Sequence, residues 1–106
     1  MTSFMGSLGQ QVSKQIVVQL GSLIREGELR VVFPDGVVRT FGTKGSRLSA
    51  EIKIVDIEFL RKLLLQGEIG VGEAYTSGMW FSNDLVSALC ILLLNRQYLG
   101  ERVKVL

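Results

Sequence analysis

Residues 68–85 read E-I-G-V-G-E-A-Y-T-S-G-M-W-F-S-N-D-L and separate two apolar segments of the chain. The glycines of this run suit backbone conformations that a β-carbon would hinder, or the close approach of another group. Its tyrosine and the only tryptophan are amphipathic rings that usually bond a polar partner when buried. We interpret the run as a glycine-rich corner joining two helices, with the alternative that it contacts a partner or lipid. The candidate contact residues are Gly70, Gly72, Glu73, Tyr75, Gly78 and Trp80.

Inside this glycine-rich run we expect Trp80 to be buried and Tyr75 to be partly exposed. Gly78 stands two residues before the tryptophan and suits a turn that directs the indole ring inward. Glu73 is expected to accept hydrogen bonds from free backbone amides around residues 70–72 or at the start of the following helix.

An apolar helix is predicted on each side of the run. Asp56 is a suitable N-cap for the first helix and Gly67 a suitable terminator. The second helix is predicted from Asp84 to Arg96, with Ser82 or Asn83 as its N-cap. Because this second helix is apolar almost all round, we expect the domain or a partner to bury it.

Three strands are predicted upstream of the helices. Residues 29–33 and 37–41 are rich in β-forming residues and flank Pro34-Asp35-Gly36, a strong turn signal, so they predict a hairpin. Residues 47–54 alternate between apolar and polar side chains, which is typical of a half-buried strand. Because the connections are short, we predict a three-stranded antiparallel meander.

The chain opens with a predicted helix over residues 8–25. Apolar residues recur there at helical spacing, and Gly27 can close the helix. We expect this stripe to pack on the core, with a membrane or partner surface as the alternative. The stripe consists of Leu8, Val12, Ile16, Val17, Leu20, Leu23 and Ile24.

The predicted fold class is α+β: an N-terminal helix, a three-stranded antiparallel meander, then two helices joined by the glycine-rich corner. A chain of 106 residues with 47% hydrophobic and 21% charged residues is expected to form one globular domain, residues 1–106. The net charge of +2 gives no electrostatic case for nucleic acid, and we predict no nucleic-acid partner.

The absence of certain residue types excludes much chemistry. The chain has no histidine, which removes Ser–His and Cys–His nucleophile pairs and the commonest metal ligand. Its single cysteine, Cys90, excludes an internal disulfide, and the apolar neighbours predict a buried, unreactive thiol. We therefore expect no metal and no cofactor.

The protein is expected in the cytoplasm, free or peripheral at the inner face of the membrane. The N-terminal residues lack the basic and continuous apolar regions of a signal peptide. The longest strongly apolar stretch, residues 85–94, is about half the length that spans a bilayer.

The glycine-rich run also resembles the signature of a known family. A Gly-x-Gly-Glu-Ala-Tyr sequence precedes a glycine, a tryptophan and an acidic residue–leucine pair. This order of residues is similar to the signature in the non-catalytic N-terminal domain of cyclopropane-fatty-acyl-phospholipid synthases. The hairpin at residues 33–42 extends the resemblance, which covers roughly residues 25–97. Thr76, Ser77 and Met79 depart from the family pattern. The matching residues are Gly70, Gly72, Glu73, Ala74, Tyr75, Gly78, Trp80, Asp84 and Leu85.

This resemblance implies a non-catalytic accessory module of a lipid methyltransferase. Such a domain would pack against an S-adenosylmethionine-dependent catalytic domain or subunit and help to present membrane phospholipid. The catalytic residues of those enzymes belong to a different domain, so none is carried over and we expect no catalysis by this chain alone. The partners expected are a methyltransferase domain or subunit, membrane phospholipid and a second copy of the chain.

Other functions stay open. A free-standing carrier would enclose an acyl chain between sheet and helices; a large apolar cavity would favour it, whereas a flat apolar patch would favour a docking or dimerisation domain. An enzyme could use Glu73 with Glu68 as acid and base. Residues 68–73 differ from the cofactor-binding turn of methyltransferases, because Ala74 stands in place of the third glycine and the preceding segment is not a parallel strand.

Overall fold

The computed structural model describes residues 2–99, which form three helices around a four-stranded sheet. The α+β class is thereby confirmed, with a helix first, strands next and helices last. The core lies between one face of the sheet and the helices, and its largest fully buried side chains include Phe33, Ile54 and Trp80. The elements are α1 (Thr2–Gly21), β1 (Glu28–Val32), β2 (Val38–Gly42), β3 (Ser49–Ile54), α2 (Glu58–Thr76), β4 (Trp80–Ser82) and α3 (Leu85–Leu94).

The predicted hairpin is confirmed. Strands β1 and β2 pair antiparallel, with Glu28 opposite Gly42 and Val32 opposite Val38. The amide of Phe33 donates to the carbonyl of Val37 at 2.8 Å and closes the turn.

The predicted meander is wrong, because β3 lies parallel to β1 and the strand order is β2-β1-β3-β4. Residues 43–48 pass across the start of β1 and place β3 on its other side. Two backbone bonds hold this crossing: Thr43 donates to the carbonyl of Gly27 at 2.8 Å, and Glu28 donates to that of Leu48 at 2.9 Å. The fourth strand, β4, pairs antiparallel with β3 and was not predicted.

Helix α1 ends at Gly21, earlier than the predicted boundary at residue 25. The amide of Ile24 still donates to the carbonyl of Gly21 at 3.0 Å, so the turn continues and Ile24 is buried. Val17 packs on the core, whereas Val12 is exposed, so the described part of the apolar stripe is only partly covered. Leu8 lies outside the residues whose side chains are described.

Helix α2 begins at Glu58, whose amide donates to the Asp56 carboxylate at 3.0 Å, as a capping role for Asp56 requires. Gly67 ends the first helical segment of α2, as predicted, but a second helical segment that was not predicted follows it. Its positive φ of 58° breaks α2 into two helical segments, residues 58–66 and 68–76. The first half of the glycine-rich run is therefore helical, and the change of direction at its start occurs at Gly67.

Helix α3 is capped by Asp84 rather than by Ser82 or Asn83. The Asp84 carboxylate accepts from the Ser87 amide at 3.1 Å and from the Ser87 hydroxyl at 2.7 Å. Because the hydroxyl and the amide stabilise the ionised form, they lower the pKa of Asp84 below its ordinary value of 3.8. Asn83 instead accepts a bond from the Glu51 amide at 2.8 Å and ties the chain to β3.

Candidate functional site

Trp80 anchors the glycine-rich run in the core. Its side chain is 1% exposed, and its indole N–H donates to the carbonyl of Val71 at 2.9 Å. The rings of Tyr75 and Phe59 lie 5.0 Å and 6.2 Å from it, centre to centre. Tyr75 is half-buried and also approaches Phe81 on β4. The predictions of a buried Trp80 and a partly exposed Tyr75 are confirmed.

Gly78 makes the turn that directs Trp80 inward, as predicted. Its φ is +77°, and its amide donates to the carbonyl of Tyr75 at 3.0 Å. The next amide, of Met79, donates to the carbonyl of Ala74 at 2.8 Å. This pair of bonds is the Schellman arrangement that ends a helix at a glycine, so α2 stops here and β4 begins two residues later.

The two other glycines of the run differ in their surroundings. A β-carbon at Gly70 would collide with the backbone carbonyl of Lys62, because the two segments of α2 meet there. At Gly72 the corresponding space is open and the residue is exposed. Close packing therefore requires glycine at position 70, and nothing in the structure requires it at position 72.

Glu73 does not bond backbone amides, contrary to prediction. Its carboxylate accepts from the Lys62 ammonium at 3.2 Å, across the break in α2. The structure thus brings Gly70, Tyr75, Gly78 and Trp80 into one packed corner. Gly72 and Glu73 lie on the outer surface.

Helix α3 exposes an apolar face, which was expected to be covered by the domain or a partner. Only Ala88 and Ile91 of α3 are buried within this chain. On the opposite side lie Val86, which is 71% exposed, and Leu94, which is 55% exposed, with Cys90 between them. The prediction of a buried Cys90 is wrong, because its apolar neighbours face solvent with it. We call Val86, Cys90 and Leu94 the outer face of α3.

A groove of about 480 Å³ runs between α2 and α3, beside the outer face. Its floor and walls are almost entirely apolar, and Ile69 on one wall is 72% exposed. Glu68 and Arg96 stand at its rim, where the carboxylate and the Arg96 Nε are 2.8 Å apart. The apolar lining residues are Leu63, Ile69, Val71, Leu89, Leu92, Leu93 and Leu99.

A smaller crevice of about 90 Å³ extends beneath α1 into the core. Apolar side chains of α1, the sheet and the later helices line it, among them Ile24 and Phe41. The crevice and the α2–α3 groove share the lining residues Leu63, Val71, Leu92 and Leu99. The two cavities are therefore neighbours that have four apolar side chains in common.

Asn95 is a buried polar residue that the sequence analysis missed. It follows α3, and its side-chain oxygen accepts from the amides of Arg25 and Glu26 at 2.7 Å and 3.0 Å. Its NH₂ group donates to the carbonyls of Glu26 and Ile91 at 2.9 Å and 2.7 Å. A signal was present in the sequence: Asn95 continues the helical spacing of Ala88 and Ile91, which marks the buried side.

No protein-family model, curated protein or solved structure matches this chain. Among residues 2–99, no helix combines the length and apolarity needed to cross a bilayer. The same residues contain no cluster of three or more acidic or cysteine side chains placed to hold a metal ion. The site is accordingly defined by its apolar surfaces and by the Glu68–Arg96 pair.

Proposed function

We propose that this chain is a non-catalytic accessory module of a cyclopropane-fatty-acid-synthase-type lipid methyltransferase. In this role it packs against the catalytic domain or subunit and helps to present phospholipid. The observation that carries the proposal is the outer face of α3. This face is apolar, and none of the described residues covers it. Helix α3 begins at its Asp84 cap, which belongs to the run that resembles the family signature.

The outer face has the character of a protein contact. Monomeric proteins rarely leave adjoining apolar side chains uncovered over more than a few hundred Å², and larger patches commonly mark interaction sites. Val86, Cys90 and Leu94 adjoin the exposed leucines of the groove wall, Leu89 and Leu93. The fold also fixes the position of α3, since Ala88 and Ile91 are fully buried. A partner would therefore meet a rigid apolar surface.

The conformation of residues 68–73 supports a non-catalytic role. A cofactor-binding glycine turn needs free backbone amides after a parallel strand. Here the run from Glu68 is helical and follows another helical segment, not a parallel strand. Glu73 pairs with Lys62 and Glu68 with Arg96 on the surface, which offers no basis for a shared acid–base pair.

The enclosed acyl-chain carrier is the weaker candidate. Ligand pockets usually occupy about 300–1,000 Å³. The interior crevice of about 90 Å³ is far smaller, and the α2–α3 groove is open at the surface. Both features support an open contact surface more than an enclosed cavity that holds an acyl chain.

Binding to a partner tests the proposal. The full chain is titrated by calorimetry with the catalytic domain of a cyclopropane-fatty-acyl-phospholipid synthase. We expect saturable binding by the wild-type chain, with at least tenfold weaker binding by Val86→Lys and Leu94→Lys, because each would place a charge in a desolvated contact.

Val38→Lys provides the matched control. Val38 is also an exposed valine, but it lies on β2 at the opposite edge of the sheet from β4. The control should bind like the wild type. Absence of binding by the wild-type chain, or an equal loss in all three variants, would count against the outer face as the docking surface.

A further inference from the structure

We propose that the α2–α3 groove binds a single hydrocarbon chain with an anionic head group. The chain lies along the groove with its end in the interior crevice, and the head group sits at Arg96. The biological role of this site rests on the proposed function, because a module that presents phospholipid needs a place for an acyl chain.

The shape of the apolar surface favours a flexible chain. The groove and the crevice adjoin, because Leu63, Val71, Leu92 and Leu99 line both, and the crevice is only about 90 Å³. A helix with its side chains is about 10–12 Å across and is too wide to enter the crevice. A hydrocarbon chain can bend into it. The groove itself, at about 480 Å³, falls within the usual range of about 300–1,000 Å³ for ligand sites.

The charges at the rim favour an anionic end. Arg96 is the cation among the residues that line the groove, and its Nε contacts the Glu68 carboxylate. A guanidinium has five N–H donors in a planar fork, so the remaining donors can hold a carboxylate or phosphate. The Arg96 and Glu68 side chains are 71% and 57% exposed, and such surface pairs contribute little stability. An incoming anion can therefore replace Glu68 at small cost.

Chain length provides the first test. Octanoate, decanoate and dodecanoate, each below its micelle concentration, displace a fluorescent fatty acid from the full chain. We expect the affinity to rise about fourfold for each added methylene, because each is removed from water. Ile69→Glu should abolish this dependence by placing a charge on the groove wall. Val86→Glu, on the outer face of α3, should leave the dependence of affinity on chain length unchanged.

The head group provides the second test. Dodecanoate and dodecyl phosphate are compared with dodecanol, which has the same chain without charge. Arg96→Gln should weaken both anions about fivefold to tenfold and leave dodecanol unchanged. Glu68→Gln should strengthen both anions, because it removes the competing carboxylate. Arg96→Gln and Glu68→Gln thus change the affinity for the anions in opposite directions, although both residues are exposed members of one ion pair. A general loss of folding would weaken binding in both variants.

Three results would overturn the site: affinity independent of chain length, Ile69→Glu binding like the wild type, or equal responses of anions and dodecanol to Arg96→Gln. The catalytic-domain titration repeated with saturating dodecanoate separates this site from the docking role. Dodecanoate binding without catalytic-domain binding supports the lipid site and refutes the docking role. Displacement of the catalytic domain by dodecanoate would show that both compete for the α2–α3 groove, which supports the lipid site and contradicts the outer face of α3 as the docking surface.

Discussion

At the scale of single residues, the Asn95 side chain connects the end of α3 to the loop between α1 and β1. Its four hydrogen bonds satisfy two amides and a carbonyl in the loop between α1 and β1, and a carbonyl in α3. A buried amide with every donor and acceptor used fixes one arrangement of these two elements, because any shift would leave polar groups without partners.

Replacing Asn95 by alanine should therefore be costly. Asn95→Ala leaves the amides of Arg25 and Glu26 without their acceptor, and we expect the free energy of unfolding to fall by about 3–5 kcal/mol. That is a large share of the roughly 5–15 kcal/mol typical of a domain. Urea unfolding followed by circular dichroism measures the change. Gln97→Ala, at an exposed amide two residues further on, should remain within about 0.5 kcal/mol of the wild type. A similar midpoint for both variants would show that the Asn95 bonds do not control stability.

At the scale of elements, helix α2 is organised by the contact between its two segments. The segments meet where Gly70 lies against the backbone of Lys62, and the Lys62–Glu73 pair spans the same contact on the surface. Glycine is a poor helix former, so a helix that contains Gly70 and Gly72 depends on tertiary packing. Gly70, Val71 and Ala74 supply that packing, since all three are buried.

The two glycines should respond to alanine with opposite signs. Gly70→Ala introduces a methyl group against a backbone carbonyl, and we expect a loss of about 1–3 kcal/mol from overpacking. Gly72→Ala occupies open space on a helix, and we expect a gain of about 0.5–1 kcal/mol from helix propensity. Thermal and urea unfolding of the two variants can be compared directly, because the changes are chemically identical. Stabilisation by Gly70→Ala would contradict the close contact.

The elements with local signals were predictable from sequence. The turn at residues 34–36, the alternation in β3 and the glycine turn before Trp80 each depend on a few neighbouring residues. The parallel pairing of β1 with β3 was not predictable in this way. It depends on the backbone bonds from Thr43 to Gly27 and from Glu28 to Leu48, and such bonds leave no trace in the side-chain pattern. The helical state of residues 68–76 was missed because packing outweighs the low propensity of glycine there.

The candidate site was predicted only in part. Six residues of the glycine-rich run were candidates, but Trp80 and Gly70 are buried and act in packing. The most exposed large apolar side chains belong to α2, at Leu65 and Ile69, and to α3. Hydrophobic content alone could not identify them, because α3 is apolar on nearly every side and its sequence does not show which side the sheet covers.

At the scale of the whole molecule, the outer face of α3 should promote weak self-association when no partner is present. We expect dimers in concentrated solution, because association would remove Val86 and Leu94 from water. Sedimentation at high micromolar concentration measures this, and Leu94→Lys should shift the equilibrium to monomer. Val38→Lys serves again as the control. A wild-type chain that remains monomeric throughout would show that this face does not bind a second copy.

The Asn95 bonds also impose an order on biosynthesis. The amide of Arg25 leaves the ribosome 70 residues before the side chain that it will bind. At translation rates of about 5–20 residues per second, that separation corresponds to a delay of about 4–14 s. During this interval β1 has its hairpin partner β2 and then β3, but the amides of Arg25 and Glu26 in the preceding loop can bond only to water. Completion of the native fold is thus a late event that depends on the last part of α3 being translated.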